Sequence, residues 1–242
     1  IANGTTIEID NATTLVEGAE LNIASKNVIA KGAVTGNGTI NLTDLDAKFT
    51  AQEGLTVNNG VEGNTDYGVV YVDGAYQFAQ YVAQIGEAKY LTLQEAIDAA
   101  TNDATIVLIE SIEQVDGVLI ENKNITIDLN DLEFNVREGA NTNNRNFRII
   151  GTSVVTIKNG TMYAKGDYSS GAYGTVRTEG TANVTLDDLK LYNYRGNGLN
   201  IKANSGTTVN ISNTEIYSEY GGGIEAAGGI ITLAETVKVE QK

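Results

Sequence analysis

The sequence contains no cysteine, no histidine, no proline and no tryptophan. Without cysteine it has neither a disulfide framework nor a thiolate metal site. Without histidine it lacks the commonest general base, the commonest zinc ligand and any triad built on an imidazole. Basic residues are also scarce: 16 Lys and Arg stand against 31 Asp and Glu, a formal net charge of −15. That balance argues against nucleic acid and anionic membrane surfaces as partners. No apolar run approaches the roughly 20 residues that a bilayer-spanning helix needs, so no membrane insertion is expected. The opening IANGTTIEID lacks the charged-then-apolar pattern of a secretory signal, and the 242 residues read as a mature or trimmed segment. What abounds is glycine, 27 residues of it, together with Asn, Thr and Val. This composition suits an extracellular bacterial β protein.

One nine-residue pattern recurs. Residues 155–163 read VTIKNGTMY, residues 184–192 VTLDDLKLY and residues 209–217 VNISNTEIY. Val155, Ile157 and Met162 occupy the places of Val184, Leu186 and Leu191, and of Val209, Ile211 and Ile216. Alternation of apolar and polar residues marks strands with one buried face. KNG, DDL and SNT, in the middle of the three copies, suit a sharp bend. A fourth copy starts at ITL (231–233) and then slips by one residue, so that Val237 and Val239 take the apolar places. A second element, TVRTE (175–179), GLNIK (198–202) and GIEAA (223–227), precedes copies two to four in constant phase, and NFRII (146–150) precedes copy one. NITIDLNDLEF (124–134) and TIVLIESI (105–112) read as earlier rungs. Each turn of about 22–30 residues then holds three short strands, and stacking the turns buries a continuous apolar column. The expected fold is all-β: a right-handed parallel β-helix with three strands per coil.

One segment departs from this pattern. In YLTLQEAIDAATND (90–103), Leu93, Ala96, Ile97 and Ala100 recur at helical spacing, and Thr92 with Glu95 forms a capping box. A short helix here is placed to cover the open end of the first rung. Ahead of it, VVYVDGAYQF (69–78) reads as a hairpin around Asp73-Gly74. The expected organisation is therefore a β segment over 1–80, the closing rungs of a preceding β-helical unit or a small β domain, ending in that hairpin. A linker and capping helix follow over 81–103, and the β-helix over 104–242.

Residues 82–134 resemble a module of large bacterial surface proteins. In that module an IG-x-x-x-Y-x-T-L-x-x-A-I-x-A-A helix leads into a pectin-lyase-like right-handed β-helix; here the motif runs from Ile85 through Gly86, Tyr90, Thr92 and Leu93 to Ala100. The resemblance implies an adhesin or stalk of the cell surface. It carries architecture further than activity, because the same fold also hosts polysaccharide lyases and glycoside hydrolases. A polygalacturonase-like site would require a histidine, and there is none. The acidic pair Asp187-Asp188 falls at a bend and reads as a solvated turn.

Two sets of residues are candidates for ligand binding. Arg148 and Arg177 fall at the same outward place of adjacent rungs, about 4.8 Å apart, and two cations that close call for an anion between them. That anion is either a uronate or sialate carboxylate of a ligand, or a carboxylate of the chain such as Glu179 or Glu138. Arg145 and Lys202 extend the patch. The second set is aromatic. Tyr163, Tyr192 and Tyr217 point outward in one column, and Tyr168, Tyr173, Tyr194 and Tyr220, with Arg195 beside them, lie in the loops that follow. Tyrosine offers a flat face and a polar edge to a sugar, and stacked outward tyrosines also stabilise a solenoid on their own. A threonine column for ice binding is interrupted, since Thr156 and Thr185 are followed by Asn210.

The functional expectation is a non-enzymatic, extracellular segment of a bacterial surface protein. Its partners would be a glycan or host surface protein and neighbouring repeats of the same polypeptide. The alternatives are a lyase or hydrolase of acidic glycans, and a phage fibre or tailspike segment. No catalytic residue, metal or cofactor is assigned.

Overall fold

The computed structural model describes residues 6–114, 116–136, 145–164, 174–194, 199–201 and 206–242. The chain is all-β, 55% strand and 3% helix, with a β-solenoid of about 8 turns in all and one short helix. It divides into two compact units, Ile1–Tyr81 and Val82–Lys242.

In the second unit the repeats stack in register. Ala104–Leu108, Asn124–Asp128, the first half of Val154–Ala164, the first half of Asn183–Asn193, Thr208–Ser212 and Ile230–Leu233 form one parallel ladder. Ile106, Ile127, Ile157, Leu186, Ile211 and Leu233 stand one above another. A second ladder aligns Ile112, Phe134, Met162, Leu191, Ile216 and Val239. A third aligns Val118, Phe147, Val176, Leu199 and Ile224. These files meet in one core that runs from the helix to Ile216. Each fully buried aliphatic or aromatic side chain in it contributes about 1.5–3 kcal/mol.

The bend between the first two ladders has a backbone cause. Asn159, Asp188 and Asn213 hold φ of 57°, 51° and 48°, the left-handed region that Asn and Asp enter at the least cost among side-chain-bearing residues. In the two central rungs the bend turns the chain without ending the strand. Val154–Ala164 and Asn183–Asn193 are each a single strand of 11 residues, so three short strands per coil is not the uniform arrangement. Gly160 sits beside this bend, where a Cβ would lie 2.5 Å from Leu129 Cβ and 2.8 Å from the Leu132 carbonyl.

The helix, Leu93–Ala99, buries Leu93, Ala96 and Ile97 against the first rung. Its capping box is complete: the Glu95 N–H donates to Thr92 Oγ1 at 3.1 Å, and the Thr92 N–H donates to Glu95 Oε2 at 3.2 Å. Two further contacts pin it to the solenoid. Gln94 presents its carboxamide to the edge strand, accepting from the Leu119 N–H at 2.8 Å and donating to the Leu119 carbonyl at 3.1 Å. Lys123 Nζ donates to the Asp98 and Ala100 carbonyls at 3.0 and 2.9 Å, a cation where the helix dipole is negative. The helix thus covers the end of the apolar column and satisfies exposed backbone groups of the first rung.

The first unit is built alike on shorter turns. Ile7–Ile9, Val28–Ala30 and Lys48–Thr50 stack in parallel, as do Glu20–Ile23, Thr39–Leu42 and Val57–Asn59. The hairpin Tyr67–Val72 and Ala75–Gln80 joins Lys48–Thr50 in antiparallel sense. Both turn residues, Asp73 and Gly74, have positive φ, 50° and 78°, as a two-residue hairpin turn demands. Tyr76 from this hairpin packs on Phe49, and its hydroxyl accepts from the Leu55 N–H at 2.7 Å. Asn22, Asn41 and Asn58 form a vertical chain of amide hydrogen bonds on the outside.

Gly160→Ala is expected to destabilise the second unit by about 1–3 kcal/mol through overpacking against the Leu129–Leu132 backbone; chemical denaturation monitored by circular dichroism checks it. An unchanged denaturation midpoint would refute the close approach.

Candidate functional site

Outward side chains form files just as inward ones do, and two of these files carry the candidate residues. On the third ladder Leu119, Arg148, Arg177, Asn200 and Glu225 are in register. Arg148 and Arg177 are therefore neighbours one rung apart. The anion between them belongs to the chain. Glu179 Oε1 lies 3.0 Å from Arg148 Nε and 3.0 Å from Arg177 Nε, and Glu179 Oε2 accepts from Arg148 Nη2 at 3.4 Å. Glu179 and Arg177 side chains are 13% and 14% exposed, against 43% for Arg148. This is a compact cluster of two cations and one shared carboxylate, with much less attraction for an outside carboxylate than a bare arginine pair.

The second ladder carries the tyrosines. Glu113, Asn135, Tyr163, Tyr192, Tyr217 and Glu240 form one file. The rings of Tyr192 and Tyr217 are 6.0 Å apart and inclined at 57°. Beside that file runs another, Glu133, Thr161, Lys190, Glu215 and Lys238, in which Lys238 Nζ donates to Glu215 at 3.0 Å. The hydrogen bond and charge of Lys238 hold the Glu215 carboxyl below its ordinary value, and Glu215 in turn raises Lys238. Tyr192, Tyr217, Ile216, Glu215, Lys238 and Glu240 line an open depression of about 110 Å³. On the far side of the tyrosine file Tyr194 and Tyr220 meet edge to face at 5.3 Å. The neighbouring Glu219 carboxylate, and then Tyr194, push the Tyr220 hydroxyl above the usual phenol range. Of the sequence candidates, the structure brings together Tyr192, Tyr194, Tyr217 and Tyr220 on one face and Arg148 with Arg177 on another. Tyr168, Tyr173 and Arg195 lie outside the described residues.

Two polar features extend beyond the three nine-residue copies. The threonine file is longer than expected, running Thr105, Thr126, Thr156, Thr185, Asn210 and Thr232. The signal was present in ATIVL and NITID, which carry threonine at the same phase. Its neighbouring file, Val107, Asp128, Lys158, Asp187 and Ser212, is charged, so the face is not the flat, uniform array that ice binding requires. Within that file the Asp128 carboxylate accepts from the Asn130 N–H at 3.0 Å and Asn159 Nδ2 at 3.0 Å, with Lys158 Nζ at 3.2 Å. Burial raises the Asp128 pKa, and these three donors together outweigh it, leaving the group below its ordinary value of 3.8. Among the described residues no group of three acidic side chains is placed to hold a metal ion.

Compared with protein-family models, curated proteins and solved structures, the chain matches none.

Two outcomes follow from these clusters. Glu179→Ala leaves two stacked guanidiniums and is expected to cost about 2–3 kcal/mol, the range for a broken ion pair discounted for the exposure of Arg148. Arg177→Leu in the same chain should recover part of that loss in urea denaturation, and no recovery would show that charge repulsion is not the cause. For Asp128 the folded pKa lies below the unfolded one, so its contribution is full above about pH 4 and fades as pH falls through the lowered folded value. Asp128→Asn should therefore lower stability at pH 7 and flatten the fall of stability with acid below about pH 4; equal slopes for the two proteins would contradict this.

Proposed function

We propose that the chain is a non-catalytic segment of a bacterial cell-surface protein that presents a glycan-binding, tyrosine-rich face on a stiff solenoid. The observation that carries this proposal is the file Tyr163, Tyr192, Tyr217 with Tyr194 and Tyr220 alongside. Half-buried tyrosines one rung apart offer ring faces for a sugar and hydroxyls for its polar edge. The ladder pairs these strands on both sides and holds the backbone of each tyrosine in place, so little backbone order is lost on binding. The resemblance over residues 82–134 to surface modules supports an extracellular setting. Adhesin or stalk is the corresponding role, with neighbouring rungs of the same polypeptide as structural partners.

The competing reading, a lyase acting on acidic glycans, depends on Arg148 and Arg177. Those groups already share the Glu179 carboxylate, and the net charge of −15 repels polyanions.

On a glycan array the protein is expected to bind, with Tyr192→Ala and Tyr217→Ala each weakening the affinity about three- to ten-fold, the loss of roughly one aromatic contact. Arg148→Ala should bind like the wild type. An array without signal, or binding lost in Arg148→Ala and kept in the tyrosine variants, would overturn the proposal.

A further inference from the structure

The tyrosine face has a direction. Across one rung the outward side chains follow in the order Lys190, Tyr192, Tyr194, and across the next Glu215, Tyr217, with Tyr220 beyond it. Lys190, Glu215 and Lys238 make a continuous wall of long side chains on one side of the tyrosine file, closed by the Glu215–Lys238 ion pair at 3.0 Å. The Tyr194–Tyr220 pair stands on the other side, tied through the backbone by the Tyr220 N–H donating to the Tyr194 carbonyl at 3.2 Å. The tyrosine floor repeats over the rungs of Tyr163, Tyr192 and Tyr217 at the rung spacing of about 4.8 Å, the long side chains follow it from Lys190 to Lys238, and the Tyr194–Tyr220 pair flanks the rungs of Tyr192 and Tyr217. The result is a trough parallel to that axis. A ligand laid across the rungs would have to cross the lysine and glutamate wall, whereas one laid along the axis meets a new ring at each rung.

The trough also has a charge preference. Along the wall file Lys190 and Lys238 stand against Glu133 and Glu215, Glu219 lies beside Tyr220, and the tyrosine file is bounded by Glu113 and Asn135 at one end and Glu240 at the other, so acidic groups outnumber the two lysines around the trough. No lysine or arginine occupies the file itself, so a chain of carboxylates would meet acid at its ends and no cation on the floor. Uncharged sugars lose nothing there. The tyrosine backbones repeat at the strand spacing of about 4.8 Å and the Tyr192 and Tyr217 ring centres are 6.0 Å apart, a separation on the scale of one sugar ring in an extended polymer.

We infer that the trough binds an unbranched, uncharged polysaccharide running parallel to the solenoid axis, one sugar ring per tyrosine. This rests on the glycan-binding role proposed above and adds to it the class of ligand, its orientation and a site length of about three rings, one each for Tyr163, Tyr192 and Tyr217.

Isothermal titration with β-1,4-linked oligomers of glucose, mannose and N-acetylglucosamine, dimer to hexamer, tests it, with oligogalacturonates as the charged comparison. In at least one uncharged series the affinity should rise several-fold with each added ring up to three or four rings, then level off, and should not change with salt. Tyr163→Ala, at the end of the file, should bring that plateau one ring earlier, while Tyr163→Phe keeps it; melting curves matching the wild type show that each variant is folded. A dimer that binds as tightly as a hexamer, tighter binding of oligogalacturonates, or no binding in any of the three series overturns the inference. A glycan array that is positive while the length series is flat would remove the axial orientation and leave the glycan-binding role standing.

Discussion

A parallel strand pair turns the backbone groups of each rung toward the rungs above and below, so every turn of this chain is held by hydrogen bonds to its neighbours. Everything else follows from that vertical register. It places Val155 under Val184 and Val184 under Val209, and the same rule that stacks valines inside stacks tyrosines, threonines and charges outside. The core and the candidate face are two sides of one constraint. A residue cannot be moved from one file to another without shifting the rung by one position, which would turn its apolar side chains to solvent.

Such a stack must be closed where it begins and must tolerate close approach where it bends. The helix closes the second unit by burying Leu93, Ala96 and Ile97, and Gln94 supplies amide groups that a further strand would otherwise provide. Gln52 does the same in the first unit, bonding both the N–H and the carbonyl of Val34 at 3.3 and 2.7 Å. At the bends the left-handed Asn and Asp residues turn the chain, and Asp128 and Asp187 collect the amide and hydroxyl donors that the turn exposes. The acidic character of the chain thus serves local hydrogen bonding as well as the net charge.

Stacking also decides what an isolated residue can do. An arginine on a flat surface is a ready anion site. Arg148 and Arg177, forced within one rung of each other, need a shared counter-ion, and Glu179, two residues beyond Arg177, supplies it. Tyrosines under the same constraint need no such partner, because tilted rings attract one another. Register therefore gives the arginine pair a counter-ion within the chain and sets the rings of Tyr192 and Tyr217 beside one another.

The fold was legible in the residues because its period is written directly: alternating apolar positions, Asn or Asp at each bend, and a capping box ahead of an apolar helical face. The rungs at ATIVL and NITID were readable by the same rule. The outward tyrosine file followed from the phase of Met162, Leu191 and Ile216, since neighbours of an inward side chain in a strand point out. What the sequence left open was pairing between side chains. That Glu179 answers the arginines depends on how the strand end returns to the rung, while Glu138 lies outside the described residues. The merging of two short strands into one of 11 residues depends on whether an αL residue bends a ladder or breaks it. The walls of the tyrosine trough arise from residues far apart in the chain that only the stacked turns set side by side. Periodicity fixes which side of the sheet a residue occupies; distances between long, polar side chains across rungs are fixed by tertiary contact.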